Sequence, residues 1–223
     1  NAVEAAKKIA EDNSATNAEI QNAIQAVKDA EAALVKTEPE KPSKPETPEV
    51  KVASVKLAKT SYVYDGKVKK PGIVAKNNKG EKITSKDYTV KYAAGCKNVG
   101  TYTVKVTFKG DYKGTFTKTF NINPKGTSFS KVKAARKSFS ATWKKQSKQT
   151  SGYQLQYSTN KKFAKSVKTS TISKNTTVKK TVKKLSAKKT YYVRVRTYKN
   201  VKAGKKTVKL YSGWSKVKAV KTK

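Results

Sequence analysis

The chain has 223 residues, with 52 Lys plus Arg against 14 Asp plus Glu, no His, no Met and a single Cys. Without His it lacks the commonest general base and the commonest neutral metal ligand, and one Cys allows neither an internal disulfide nor a thiolate zinc site. No apolar run approaches the ~18 residues of a membrane-spanning helix.

Residues 1–36 are Ala-rich with helical spacing. Ile20, Ala23, Ile24, Val27, Ala30 and Leu34 form a stripe on one face. Thr16 with Glu19 three residues on fits a capping box, so a helix is predicted to start near Asn17. A shorter helix ahead of it carries Val3, Ala6, Ile9 and Ala10 and ends around Asp12 to Ser14. So few large side chains bury little, and a third helix is expected upstream. Ala6-Lys7-Lys8, Thr16 with Glu19-Ile20, and Ala23, Ala26, Ala30 and Ala33-Leu34 together resemble the FIVAR module, a small helical unit of Gram-positive surface proteins and secreted glycosidases. A generic spacer pair of helices fits the same residues.

Thr37 to Glu49 holds four of the six prolines of the chain and reads as a semi-rigid, extended linker. From Val50 the hydrophobic period becomes two. Tyr102, Val104, Val106 and Phe108 share one face of a predicted strand, Lys109 to Gly114 supplies a turn, and Phe116 to Ile122 the next strand. Earlier strands are predicted at 52–57, 62–64, 73–75 and 88–92. Short strands and Gly turns in this space indicate a small β-sandwich over 50–124. Tyr64-Asp65-Gly66-Lys67 with Pro71, Asp87-Tyr88 with Tyr92, Asn98 to Tyr102 and Phe108 to Gly114 resemble an immunoglobulin-like repeat of clostridial surface proteins. That resemblance implies a stalk or spacer module.

A second β unit is predicted over 125–223. Phe139, Ala141 and Trp143 alternate inward, as do Tyr153, Leu155 and Tyr157, and then Tyr191, Val193, Val195 and Thr197. The strand Trp143, and Leu185 followed six residues later by Tyr191, resemble fibronectin type III. The resemblance makes Trp143 a core residue and Tyr191 a tyrosine corner that pins the loop before its strand. Lys189 to Arg196 and Tyr211 to Ser215 are similar to a Lys-rich version from Firmicutes exoproteins. The fold class is thus mainly β: two tandem Ig-like or fibronectin III-like sandwiches behind a short helical hairpin and a Pro-rich linker.

Tyr192, Arg194, Arg196 and Tyr198 are expected to share the outward face of one strand. Tyr211-Ser212-Gly213-Trp214-Ser215 resembles the Trp-Ser-x-Trp-Ser motif of cytokine-receptor fibronectin domains, with Tyr in place of the first Trp. The resemblance implies that the arginines stack between Tyr211 and Trp214. Guanidinium over an aromatic face contributes ~0.5–2 kcal/mol. Two uses stay open: a stiffening ladder, or a platform that stacks a sugar.

Charge is uneven. Residues 1–50 hold 6 Lys against 10 acids, residues 51–123 hold 16 Lys against 4 acids, and residues 124–223 hold 30 basic residues and no acid. That last stretch has no internal side-chain ion pair and no paired-carboxylate chemistry. Its charges serve either as a solubilising surface or toward a polyanionic partner. Only Arg136, Arg194 and Arg196 are Arg; Lys supplies diffuse point charge rather than bidentate readout, which argues against sequence-specific nucleic-acid binding. Cys96 reads as a small buried thiol, and Asp65, Asp87 and Asp111 as turn residues rather than calcium ligands. A Lys–Asx isopeptide crosslink needs a buried carboxyl group, which the C-terminal domain lacks and the middle one could supply. No cofactor, metal or catalytic residue is predicted. The expectation is a monomeric, non-catalytic stalk or anchoring region of an exported Gram-positive protein. Anionic wall polymers are its expected partner; a glycan or host surface protein is the alternative, as is an accessory role beside a secreted glycosidase.

Overall fold

The computed structural model describes residues 2–12, 14–36 and 50–223. The predicted proline linker falls outside the described residues, as does the side chain of Leu34. Residues 1–49 and 50–223 form two separate units.

In the first unit, α1 (Ala2–Glu11) and α2 (Asn17–Lys36) pair as a hairpin. Thr16 caps α2: its Oγ1 accepts from the Glu19 N–H, and Glu19 Oε2 accepts from the Thr16 N–H at 2.8 Å. Both orphan donors of the helix start are thereby satisfied. The facing apolar residues, among them Ile9, Ala23, Ile24 and Val27, line an open groove of about 680 Å³ rather than a closed core. Ile24 keeps 44% of its surface exposed and α1 buries no residue.

The second unit holds two successive β-sandwiches. In the first, a three-stranded sheet in the order β1 (Val52–Leu57), β3 (Ile73–Asn77), β4 (Lys82–Ile83) accompanies a four-stranded sheet in the order β2 (Ser61–Val63), β7 (Thr115–Asn123), β6 (Gly100–Phe108), β5 (Tyr88–Tyr92). β2 joins β7 in parallel; the other pairings are antiparallel. Val104, Val106, Phe120 and Ile122 are almost wholly buried between the sheets. The residues alternating with them carry Thr and Lys outward, the pattern of a half-buried strand. Phe108 is clasped edge-on by Tyr88, Tyr112 and Phe116. β4 lacks a sequence signal, because two residues are too few for a period; the Asn77 side chain sets it up by accepting from the Lys79 and Glu81 N–H groups.

The second sandwich pairs the sheet β12 (Lys179–Val182), β9 (Ser138–Trp143), β8 (Phe129–Ala135) with the sheet β11 (Lys168–Ile172), β10 (Gly152–Ser158), β13 (Thr190–Ala203), β14 (Lys206–Tyr211). β15 (Lys218–Lys221) pairs with the first half of β13, on which β14 occupies the second half. Phe139, Trp143, Tyr153, Leu155, Val193 and Val195 fill the interior. Trp143 is 2% exposed, its ring 5.4 Å from that of Tyr153. The Tyr191 hydroxyl accepts from the Ser186 N–H at 3.2 Å and so ties the loop after Leu185 to the start of β13. Between the sandwiches, the Gln149 side chain accepts from the Val99 N–H and donates to Asn98 Oδ1.

Candidate functional site

β13 is long enough to span the second sandwich, and its alternation places Tyr191, Val193, Val195 and Thr197 inside and Tyr192, Arg194 and Arg196 on the outer side. Directly opposite on β10 stand Gln156 beside Arg194 and Gln154 beside Arg196. Each guanidinium donates through Nε and Nη2 to the glutamine carbonyl: Arg194 to Gln156 Oε1 at 3.0 and 2.7 Å, Arg196 to Gln154 Oε1 at 2.8 and 2.6 Å. The planar fork of Arg makes this two-point contact; a Lys ammonium cannot. No carboxylate is involved, so both centres keep their full charge.

The aromatic side chains arrive from a segment that continues the sheet edge without being a regular strand. Between β14 and β15, the Ser212 N–H donates to Thr197 O while Ser212 Oγ accepts from the Thr197 N–H. Ser215 repeats the arrangement with Val195 at 2.8 and 3.0 Å. The hydroxyls thus stand in for the missing carbonyls of a ladder, and of the two residues between them, Gly213 and Trp214, the tryptophan is held over β13. Its indole is flanked by both guanidiniums, Arg194 at 4.4 Å and Arg196 at 4.2 Å. Tyr211 covers Arg196 at 3.7 Å and Phe163 covers Arg194 at 4.1 Å. The order is Phe163, Arg194, Trp214, Arg196, Tyr211. Burial under these rings pulls both guanidinium pKa values below the ordinary arginine value, and for Arg196 the neighbouring Arg194 charge adds to the effect.

Two of the anticipated residues stand apart. Tyr198, expected on the outward face, is 2% exposed. Its cross-strand neighbour is Gly152, and the ring lies in the space a side chain there would fill: a Cβ on Gly152 would meet the Tyr198 hydroxyl at 2.9 Å. That hydroxyl reaches Ile172 O at 3.4 Å, and the ring abuts Tyr211 at 6.1 Å. Desolvation raises its pKa. Tyr192 is half-buried and, among the described residues, makes no ring contact with the stack. Phe163, Gln154 and Gln156 belong to the arrangement without having been singled out in the sequence. The glutamines share a parity on β10, but which strand lies beside them is not readable locally. Phe163 sits in the β10–β11 loop with φ at +56°, where nothing in its surroundings marks a partner.

Elsewhere, Cys96 is 4% exposed and its thiol donates to Ala93 O at 2.9 Å. Desolvation raises its pKa, which suppresses thiolate chemistry. Asp65, Glu81 and Asp111 are exposed and Asp87 is half-buried, so none supplies the buried carboxyl group of an isopeptide crosslink. Asp65 pairs with Lys69 and also accepts from the Lys67 N–H, contacts that hold its carboxyl below the usual range. Among the described residues no cluster of three His, Cys, Asp or Glu is placed to hold a metal.

Residues 123–212 match the Fibronectin type III domain family. This stretch is less than half of the chain and runs from the end of the first sandwich to Ser212. Domains of that family are in general non-catalytic modules of stalk, linker and adhesion regions in extracellular proteins. No described helix is long and apolar enough to cross a membrane. No curated protein matches the chain. Among solved structures, the chain is similar to a two-domain fibronectin type III segment of chicken tenascin, at 14% identity with a TM-score of 0.41, covering 77% of this chain and 99% of that one. The FN1–FN3 domains of chicken CNTN1 are similar at 20% identity with a TM-score of 0.36, over 56% of this chain. The chain spans 43% of the length of that CNTN1 fragment. A β-1,2-glucanase from Parabacteroides distasonis is matched at 12% identity over 17% of its length, with a TM-score of 0.34.

Proposed function

We propose that the chain is a stalk and anchoring region of an exported Gram-positive surface protein, and that its C-terminal sandwich associates electrostatically with anionic wall polymers such as teichoic acids. The observation that carries this reading is charge: residues 124–223 bring 30 basic residues and no acid. Every Lys among them is exposed except the half-buried Lys199. No carboxylate within this stretch competes for the exposed lysines, so a multivalent polyanion finds them available. The interaction is screened steeply by salt, because the Debye length is only ~8 Å at physiological ionic strength.

The glycan-platform alternative finds less support. Sugar stacking needs a free aromatic face, and the Trp214 indole is already flanked by Arg194 and Arg196. The Arg–aromatic stack is instead a stiffener of the sheet edge, suited to a stalk.

The test is cosedimentation of the 223-residue chain with purified Gram-positive walls, before and after extraction of teichoic acid, across a salt series. Binding that requires teichoic acid and fades with salt is the expected result. Failure to bind at low salt would overturn the anchoring role.

A further inference from the structure

The two outer faces of the second sandwich differ in what they leave available. On the β11–β10–β13 face both guanidiniums are committed to glutamines and rings. On the β12–β9–β8 face nothing is committed. Its central strand alternates Phe139, Ala141 and Trp143 inward with Ser138, Ser140 and Thr142 outward. These three hydroxyls are half-buried, and among the described residues none has a hydrogen-bond partner. Lysines stand on both sides of Thr142 and on one side of Ser140, whose other neighbour is Thr181, while Ser138 pairs with Ala135. Lys131 pairs with Thr142 and Lys133 with Ser140 on one edge, while Lys179 pairs with Thr142 on the other.

The face is therefore a trough with a floor of short hydroxyl side chains, one wall formed by Lys131 and Lys133 and the other by Lys179 and Thr181. Two strand spacings separate its walls, roughly 10 Å. Along the floor the hydroxyls repeat every two residues, ~6.7 Å. Two residues of polypeptide are six backbone bonds. An extended polymer whose phosphates are joined through a six-atom backbone repeat advances by a similar amount, about 7 Å at ~3.3–3.6 Å per three bonds. Its phosphates can stay in step with the hydroxyl donors over the length of β9, with ammonium groups closing from both sides at Thr142 and from one side at Ser140. Longer repeats fall out of register.

We propose that the outer face of the β12–β9–β8 sheet is the docking trough for a linear phosphodiester polymer with a six-atom repeat, of which poly(glycerol phosphate) is the simplest. This rests on the electrostatic reading above and assigns it a place and a ligand class. Single-stranded nucleic acid has the same backbone repeat. Its binding sites, however, add aromatic platforms for the bases, and the outward residues of this face are Ser, Thr, Lys and Ala.

The test titrates unsubstituted, lipid-free poly(glycerol phosphate) into the 223-residue chain across a salt series. Three variants are compared: K131Q/K133Q/K179Q in the trough, K202Q/K205Q/K206Q on the exposed β13–β14 hairpin as a charge-matched control, and S140V on the floor. Tryptophan fluorescence melts establish that each is folded. The trough triple should lose roughly tenfold in affinity and reduce the salt slope by about 2, the contribution of three phosphate contacts on a single-stranded polyanion. The control triple should lose less than about threefold, and S140V should weaken binding by about threefold without changing the slope. Equal losses in the two triples would refute the trough while leaving the diffuse electrostatic reading intact. No binding by the unaltered chain would overturn both. Tighter, equally trough-dependent binding of oligothymidylate with the same number of phosphates would reassign the face to nucleic acid and overturn the proposal.

Discussion

Replacing Arg196 sets two effects of opposite sign against each other. The ladder loses a guanidinium that donates twice to Gln154 and lies against Tyr211 at 3.7 Å and Trp214 at 4.2 Å. The two donations share one acceptor, so they count as a single charge-assisted contact of ~1.5–3 kcal/mol. Two cation–π contacts at a half-buried site add about 1–2 kcal/mol together. In the other direction, removing one positive charge from a sandwich without acids relieves repulsion. With Arg194 two residues away along the strand, ~7 Å, that relief is about 0.6 kcal/mol in a water-like dielectric. The Gln154 carbonyl, half-exposed, turns to water and costs little. R196A should therefore destabilise the sandwich by about 2–4 kcal/mol, and R196K, which keeps the charge but loses the fork and the flat stack, by about 1–3 kcal/mol. Urea denaturation followed by tryptophan fluorescence measures this cleanly, since the only two Trp residues, Trp143 and Trp214, both lie in this sandwich. An R196A protein as stable as the parent, or more stable, would mean that charge relief wins and that the stack contributes nothing.

Other consequences can be checked in the same preparations. Raising salt from ~0.01 to ~1 M shortens the Debye length from ~30 to ~3 Å, so the melting temperature of the C-terminal sandwich should rise; a fall would show that its lysines are not in net repulsion. G152A places a Cβ 2.0 Å from Ile172 O; it should cost ~3 kcal/mol or more, and an unchanged urea midpoint would contradict the close approach of the Ile172 carbonyl to that glycine. Cys96, buried and with its thiol pKa raised, should react with a thiol reagent only as the first sandwich unfolds. Rapid reaction of the native chain at neutral pH would show that the site opens without unfolding.

How far the sequence carries the structure differs from strand to strand. β5 and β6 were legible because each turns every second residue, aromatic or Val, inward over at least five residues, which writes a period of two into the chain. β4, β11, β12 and β15 were not, because each is short and only one residue in each is buried. The same holds for the site. Arg194, Arg196, Tyr211 and Trp214 could be grouped from their spacing and likeness to a known motif, whereas Phe163 and the two glutamines belong to it only through strand neighbours and a loop that returns across the sheet. Tyr198 shares the parity of Arg196, as alternation anticipates, but it is covered: alternation gives the face, and a glycine on the adjacent strand decides whether that face is open.

What the amino-acid order determines by itself is composition and period: a mainly β chain, an absence of histidine chemistry, and a C-terminal sandwich whose charge has one sign. These are additive or local quantities, readable without knowing which residues meet. Tertiary structure alone decides the pairings. It sets Gln154 and Gln156 beside the guanidiniums, closes both faces of the tryptophan, and leaves a row of unpartnered hydroxyls beside lysines on the opposite sheet. Those arrangements join residues tens of positions apart, and no local pattern encodes the register that brings them together.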